Sequence, residues 1–228
     1  TRFWRVYSGK TPKAARVCEL FLSSIVDTEH FPLTQLSSMT ASETTKVMEN
    51  TYRAANIAFI DEWTKYAETI GIDLYEVIDA IRVRPTHSNI RFPGLGVGGY
   101  CLTKDPAFAP AAARQLFGNE NLDFPFSRLA LQVNQAMPMH TVGRLEALLG
   151  GTCNDKAILV LGVSYRQDVG DTRYSPVETL TRALEARGAK VTGFDPFVDN
   201  WPEMGRSLPS SLPEAETYDA VVMATPHR

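Results

Sequence analysis

The sequence predicts an α/β protein in which a long helical region is followed by a doubly wound domain. Apolar residues recur every three or four positions in the segment that ends at Ile70, which is typical of an amphipathic helix. The continuous apolar run 157–162 is typical of a parallel strand covered on both faces. Strand and helix patterns alternate after this run, so a doubly wound domain is expected from about residue 152.

The first 37 residues predict a strand, a helix and a loop. The strand covers 3–7, where aromatic and β-branched residues dominate. Thr11 is a suitable N-cap and Pro12 a suitable first helical residue. The segment 28–36 has no clear period and is predicted to be a loop.

The next segment predicts the longest helix of the chain. Thr40 or Ser42 is expected to cap it, and its apolar period continues to Ile70. Asp73 is expected to cap the following helix, which Pro85 ends.

Two further helices are expected before the doubly wound domain. Pro106 suits the first turn of a helix that continues to about Leu116. A longer helix is predicted over 127–149, interrupted or kinked near Pro138. The glycine pair 150–151 is the predicted hinge.

The last part of the chain contains one helix between strand patterns. Ser175 and Pro176 predict the helix start, and strands are expected at 190–195 and 218–224. Both chain ends fall in strand patterns, so we expect the sequence to be a piece of a longer protein.

Composition excludes several classes of function. The 228 residues carry a net charge of −3 without a basic block, so neither nucleic acid nor a membrane is expected as a partner. The three cysteines are widely spaced, which favours a reducing, cytoplasmic compartment over a disulfide framework. The histidines lack metal-ligand spacing, so no metal is predicted and each is expected to be a surface or capping residue: His30, His87, His140 and His227.

The most informative motif is a glycine-rich loop that ends in a cysteine. Gly98 and Gly99 precede Cys101, and Lys104 and Asp105 follow it. Glycines allow close approach of backbone to a ligand, and a nearby cation or helix N-terminus favours the reactive thiolate. A lone cysteine is more often a buried structural thiol, but such a thiol requires neither the glycines nor the charges.

The same loop matches the dinucleotide fingerprint G-x-G-x-x-G at positions 94, 96 and 99. That fingerprint requires a buried strand before it and a helix after it. The preceding residues 86–93 are polar and end in proline, so we reject a dinucleotide site here.

Two further segments carry candidate site residues. Lys46 and Asn50 lie four apart on the long helix, a spacing that places an ammonium and an amide on one face to stabilise an oxyanion, although a solvated helix face gives the same pattern. The segment 162–173 follows a strand and precedes a helix, where doubly wound folds bind ligands. Tyr165 is a candidate to stack on a base and Arg166 or Arg173 to bind phosphate, whereas in an ordinary polar loop Arg173 would pair with Asp171 or Asp168.

Together these motifs resemble the UDP-glucose/GDP-mannose dehydrogenase family. The matching segments occur in the family's order along almost the whole chain: 46–51, 98–106, 134–140, 162–173 and 194–196. The resemblance implies three parts: the end of an NAD-binding domain (1–37), a helical central domain that forms a homodimer through its long helix (38–150), and a Rossmann-like UDP-sugar-binding domain (151–228).

The resemblance also implies a reaction. The family oxidises the C6 alcohol of a nucleotide sugar to a carboxylate with two NAD per turnover, for polysaccharide precursors. Cys101 would form a thiohemiacetal and then a thioester, Lys46 and Asn50 would stabilise the anionic oxygen, and Asp105 would position or activate water.

Binding roles follow by the same resemblance. Tyr165, Arg166, Gly98 and Phe92 would contact the UDP-sugar, and the cofactor-binding residues would be Lys104 and Arg173. Asp105-Pro106 is similar to the branch that acts on UDP-N-acetylhexosamines, including UDP-N-acetylmannosamine, whereas Lys104 is similar to the UDP-glucose branch.

Some positions depart from the family pattern, and two other functions stay open. Tyr174 stands where an acidic residue is common, and Arg82, Arg84 and His87 are all near the position of a basic residue that the family donates across the dimer. The alternatives are a two-electron dehydrogenase of the 6-phosphogluconate or 3-hydroxyacid type and a non-catalytic UDP-sugar-binding dimer. We expect the chain by itself to lack hydride-transfer activity.

Overall fold

The computed structural model describes residues 3–228 and divides the chain into two compact units after Asn50. The division falls inside the longest helix, so one helix contributes residues to both units.

The first unit opens with a strand, a helix and a second strand. These are β1 (Arg5–Tyr7), α1 (Pro12–Ile25) and β2 (Leu33–Gln35), and β1 pairs in parallel with β2. The Thr11 hydroxyl accepts a hydrogen bond from the Ala14 N–H at 3.1 Å, which confirms the predicted cap. The prediction of a loop over 28–36 was wrong because it contains β2, a strand too short to show a period and formed by pairing with β1.

Helix α2 (Met39–Ile70) is the longest element and ends where the period predicted. Its start was predicted wrongly, because the Ser38 hydroxyl accepts from the Ala41 N–H at 3.1 Å and both Thr40 and Ser42 lie inside the helix. Four small polar residues lie within six positions, 37–42, and they leave the cap ambiguous in the sequence.

Helix α3 (Leu74–Arg82) begins at the predicted cap, where the Asp73 carboxylate accepts from the Tyr75 N–H at 2.8 Å. A 3-10 helix, Pro85–His87, follows it. A small apolar core joins α2 to α3 through Ile60, Ala67, Leu74 and Ile78.

Two helices lead to the sheet. Helix α4 (Phe108–Gln115) continues from a 3-10 helix, Asp105–Ala107, in which Pro106 occupies the first turn as predicted. Helix α5 (Pro125–Leu148) passes through Pro138 without interruption.

The remaining elements form a parallel sheet with one crossover helix. Strand β3 (Ala157–Leu161) is followed by α6 (Pro176–Glu185), whose predicted cap is confirmed by the Ser175 side chain accepting from the Val177 N–H. Strand β4 (Lys190–Phe194) pairs in parallel with β3.

A short antiparallel hairpin is present that the sequence did not predict. It consists of β5 (Asn200–Trp201) and β6 (Arg206–Ser207), each only two residues long. The last strand, β7 (Ala220–Met223), pairs in parallel with the other side of β3, so the strand order is β4–β3–β7.

Strand β3 is buried on both faces, since Ile158, Leu159 and Val160 are all completely buried, and Ile158 and Val160 belong to the main core. Side chains of α5, α6, the sheet and the hairpin meet there: Val142, Leu145, Ile158, Val160, Leu180, Leu184 and Trp201. The mixture of long helices and a parallel sheet confirms the predicted fold class. Over residues 3–228, every helix is too short or too polar to cross a membrane.

Candidate functional site at the carboxyl edge of the sheet

Three loops meet where the parallel strands end. Leu161 pairs with Phe194 on one side and with Met223 on the other, so the segments after β3, β4 and β7 leave the sheet at the same edge. Doubly wound folds bind ligands outside this edge. The loop 162–174 after β3 carries the predicted nucleotide contacts.

A buried carboxylate anchors the start of this loop. Asp195 follows β4, and its carboxylate accepts hydrogen bonds from the Val163 N–H (2.9 Å), the Ser164 N–H (2.9 Å) and the Ser164 hydroxyl (2.8 Å). The Phe197 N–H donates to its second oxygen at 2.9 Å. Burial raises the pKa of Asp195, but these hydrogen bonds and nearby His227 oppose it, and the net effect lowers the pKa.

His227 joins this carboxylate from the segment after β7. Its Nε2 lies 3.1 Å from Asp195 Oδ2, and its side chain is only 7% exposed. The prediction that His227 is a surface or capping residue was therefore wrong. A single histidine outside any periodic segment gives no signal of burial.

Tyr165 packs against the glycine-rich loop of Cys101. A β-carbon at position 98 would lie 2.6 Å from the Tyr165 Cβ, and one at position 99 would lie 2.7 Å from Cε2 of the Tyr165 ring. Gly99 also has a φ of +80°, which favours glycine. These two glycines allow the Cys101 loop and the loop after β3 to touch.

The two candidate arginines differ. Arg166 is exposed at this edge. Arg173 donates two hydrogen bonds to the Asp171 carboxylate, at 2.9 and 2.7 Å, which is the pairing expected of a polar loop. The side-chain hydrogen bond from Arg173 is the main cause that lowers the pKa of Asp171.

Cys101 is exposed, in contrast to Cys153, which is fully buried in the main core. The Cys101 carbonyl accepts from the N–H groups of Lys104 (3.2 Å) and Asp105 (2.9 Å), so the cysteine stands one turn before the 3-10 helix that leads into α4. The structure thus contradicts the buried-thiol alternative at Cys101.

Lys104 lies on the same turn and is held by aromatic rings and a carboxylate. Its Nζ lies 3.1 Å from Asp105 Oδ1 and 4.5 Å from the ring centroids of both Tyr100 and Phe108. The Asp105 side chain is 8% exposed. The turn therefore places a thiol, an ammonium and a largely buried carboxylate within five residues.

The other predicted residues lie elsewhere in the chain. Lys46 is exposed and Asn50 is buried on α2, both in the first unit. Phe92 stacks on Tyr75 with centroids 5.3 Å apart and lies 4.6 Å below the Arg82 guanidinium carbon. Their roles toward a ligand stay predictions.

Tyr174 belongs to the candidate site, although no role was predicted for it. It has a φ of +54°, its ring centroid is 5.7 Å from that of Tyr100, and its carbonyl would be 2.8 Å from a β-carbon at position 98. It lines a cavity of about 420 Å³ together with Thr103 and Lys104. The left-handed backbone conformation of Tyr174 could not be predicted, because the neighbouring residues Arg173 and Ser175 give no indication of it.

Two family models match this chain, and they describe consecutive domains of one family. Residues 40–136 match the central domain of the UDP-glucose/GDP-mannose dehydrogenase family, and residues 159–228 match its UDP binding domain. The chain belongs to the UDP-glucose/GDP-mannose dehydrogenase family, as its motifs predicted.

The relatives it resembles are dehydrogenases of nucleotide sugars. A UDP-N-acetyl-D-mannosamine dehydrogenase of Pyrococcus horikoshii is 34% identical over 98% of this chain and 50% of its own length. A solved structure of a P. horikoshii UDP-D-ManNAc dehydrogenase superposes with a TM-score of 0.79 at 30% identity, covering 99% of this chain and 51% of that one. An NDP-N-acetyl-D-galactosaminuronic acid dehydrogenase from Methanosarcina mazei gives 0.81 at 29% identity, with 99% and 49% covered. The chain spans about half the length of these relatives.

Proposed function

We propose that this chain supplies the thiol and the nucleotide site of an NAD-dependent nucleotide-sugar 6-dehydrogenase that performs a four-electron oxidation. The observation that carries the proposal is the contact of Gly98 and Gly99 with Tyr165. It joins the loop of an exposed cysteine to the sheet edge at which doubly wound folds bind nucleotides.

Arg166 and Tyr165 are the proposed nucleotide contacts. Arg166 is exposed at the edge, where its guanidinium can bind the diphosphate with two hydrogen bonds. Gly99 covers part of the Tyr165 ring, so a base would stack on the part of the ring that is not covered. Gly98 and Phe92 are proposed sugar contacts.

Cys101 is the proposed nucleophile. After the C6 alcohol has been oxidised to an aldehyde, the thiolate adds to the aldehyde carbon, and the oxygen takes a proton to give a thiohemiacetal. Loss of the C6 hydride and the hydroxyl proton gives a thioester. Water then attacks the same carbon, the carbon–sulfur bond breaks, and the carboxylate leaves with the thiol regenerated.

The neighbouring polar groups have supporting roles in this scheme. Asp105, one turn from Cys101, takes a proton from the attacking water. Lys46 and Asn50, four apart on α2, stabilise the oxygen anion that forms at each addition step.

NAD, when bound, supplies the hydride acceptor for both oxidations. Lys104 fits a role beside NAD because its side chain lies on the Cys101 turn and is 37% exposed. Arg173 fits a role in binding NAD if its guanidinium exchanges the Asp171 carboxylate for phosphate oxygens as hydrogen-bond acceptors.

The proposed substrate is a UDP-N-acetylhexosamine, and its uronate product is a polysaccharide precursor. The relatives named above are dehydrogenases of N-acetylated sugar nucleotides, and Asp105-Pro106 agrees with that branch. UDP-glucose is the second candidate because of Lys104.

We further propose a homodimer formed through α2. Phe59, Trp63 and Ile70 of this helix are all about half exposed. An apolar surface of this kind on a helix is typical of a protein–protein contact.

Calorimetric titration with UDP tests the nucleotide site. Arg166→Ala is expected to weaken UDP binding by about tenfold or more, because it removes a charge-assisted contact. Arg187→Ala is the matched control, since Arg187 lies between α6 and β4 at the opposite edge of the sheet and pairs with Glu146. Equal affinity in the wild type and Arg166→Ala would contradict the assignment, and absence of UDP binding in the wild type would contradict the nucleotide site altogether.

A further inference from the structure

The loop that carries Tyr165 and Arg166 is held from two neighbouring strands. Asp195, after β4, accepts from the backbone N–H groups of Val163 and Ser164. The hydroxyl of Thr225, after β7, donates to the Ser164 carbonyl at 2.8 Å. The backbone immediately before Tyr165 is therefore fixed from both sides.

His227 completes this arrangement and links it to the far side of the loop. Its Nε2 lies 3.1 Å from Asp195 Oδ2, and its Nδ1 accepts from the Asp168 N–H at 3.0 Å. Each ring nitrogen therefore has its own partner, the Asp195 carboxylate at Nε2 and the Asp168 backbone at Nδ1. Because Nε2 also lies 3.2 Å from Ser164 Oγ, His227 contacts residues on both sides of Arg166, Ser164 and Asp168.

The geometry excludes a hydrolytic triad. Ser164 Oγ lies 3.2 Å from the same Nε2 that faces Asp195, whereas a Ser-His-Asp relay uses the two ring nitrogens separately. Ser164 is also completely buried, so a substrate carbonyl has no access to its hydroxyl. The cluster of Asp195, Thr225 and His227 instead holds the backbone of the loop after β3 in place.

We infer that Asp195 and His227 are positioning residues for the nucleotide site. They set the path of the loop so that Arg166 and the accessible part of Tyr165 face the ligand before it binds. A preorganised loop loses less conformational entropy on binding, so the affinity depends on this cluster although neither side chain touches the nucleotide. This role rests on the proposed function; Asp195 lies in a family segment that gave it no role, and His227 lies outside the matching segments.

The test compares UDP affinity with folding stability in a set of variants. His227→Ala and Asp195→Asn are expected to weaken UDP binding by about tenfold, as measured by calorimetry on samples whose thermal unfolding shows them folded. His227→Gln is expected to recover part of the affinity because its amide can donate to Asp195. In the full-length protein, His227→Ala is expected to raise KM for the UDP-sugar with kcat within about twofold.

Asp219→Asn is the matched control. Asp219 accepts from the Ala157 N–H at 2.8 Å and lies 3.4 Å from the Lys156 Nζ, so it anchors the opposite end of β3 in the way that Asp195 anchors the loop. This variant is expected to lose thermal stability and keep wild-type UDP affinity.

The outcomes separate the two proposals. If the wild type binds UDP and His227→Ala and Asp195→Asn bind it equally well while only their stability falls, the cluster is structural and the inference is wrong. If Asp219→Asn weakens UDP binding as much as they do, general destabilisation explains the effect and the inference is again wrong. A wild-type chain that binds no UDP overturns the proposed function together with this inference.

Discussion

At the scale of single residues, the three cysteines show how much local sequence can predict. The glycines before Cys101 and the charges after it favoured a reactive thiol over a buried structural one, and Cys101 is exposed. Cys153, which lies beside the predicted hinge and strand, is buried in the core, and burial raises its pKa. The residues next to each cysteine in the sequence, polar and glycine-rich for Cys101 and beside an apolar strand for Cys153, therefore indicate which thiol is exposed.

Cys101→Ser is expected to reduce uronate release by about 10³-fold or more in the full-length protein, because a serine hydroxyl is a much weaker nucleophile than a thiolate and has no sulfur with which to form the thioester. Product analysis by mass spectrometry checks this. Cys18→Ser is the matched control, since Cys18 is a partly buried thiol on α1 and its loss is expected to leave the rate unchanged. Uronate release at the normal rate from Cys101→Ser would refute the covalent scheme.

Asp195 gives a prediction on pH. Its pKa in the folded protein is below the ordinary value of 3.8, so the folded state binds fewer protons than the unfolded state in acid. Its stabilising contribution is fully present above about pH 5 and is lost as the pH falls through the lowered pKa. Chemical denaturation at a series of pH values measures this loss.

Asp195→Asn supplies the comparison for that titration. The variant is expected to be less stable at neutral pH and to show a shallower decline of the free energy of unfolding below about pH 5. The same decline in both proteins would show that Asp195 does not carry this acid sensitivity.

Other residues of the site could not be predicted. The burial of His227 and the positive φ of Tyr174 depend on which loops meet at the sheet edge, and no local period or spacing reports that. Asp195 lies in a matching family segment, but its contacts with Val163 and Ser164 bridge about thirty residues of sequence.

At the scale of elements, long periodic segments were predictable and short ones were not. The end of α2 and the caps Thr11, Asp73 and Ser175 agree with the structure because each depends on local chemistry. Strand β2 and the β5–β6 hairpin have two or three residues per strand, so they exist only through their pairing. The start of α2 was misplaced because several adjacent residues can cap a helix.

The packing of the Cys101 loop on the loop after β3 gives a prediction for Gly99. Gly99→Ala combines a φ of +80° with a β-carbon 2.7 Å from the Tyr165 ring. It is expected to lower stability by about 1–3 kcal/mol beyond the backbone cost and to weaken UDP binding, because Tyr165 must move. Thermal unfolding and UDP titration measure the two effects.

Gly71→Ala is the control for backbone strain. Gly71 has a φ of +75° and open space around its missing β-carbon, so only the backbone cost of about 1 kcal/mol is expected, with UDP affinity unchanged. If Gly99→Ala lowers the stability no more than Gly71→Ala does and binds UDP with wild-type affinity, the contact between the two loops contributes to neither stability nor UDP binding.

At the scale of the whole molecule, the second unit joins the Cys101 turn and the parallel sheet in one compact body. The family's central and UDP binding domains account for residues 40–136 and 159–228, in the order that the motifs predicted. The exact domain bounds at 37 and 150 stay predictions, because the compact units divide at Asn50, inside α2. The chain covers about half of each relative, so the activity of the whole protein is a proposal that kinetics must test.

The most direct test of the account is the number of NADH molecules released per UDP-sugar consumed by the full-length protein. UDP-glucose, UDP-N-acetylglucosamine, UDP-N-acetylgalactosamine and UDP-N-acetylmannosamine are compared under single-substrate conditions. Two NADH per UDP-N-acetylhexosamine, with the uronate as product, is the predicted result. One NADH per sugar would indicate a two-electron dehydrogenase, and UDP binding without NADH would indicate a binding module; either result would contradict the role of Cys101 as the nucleophile.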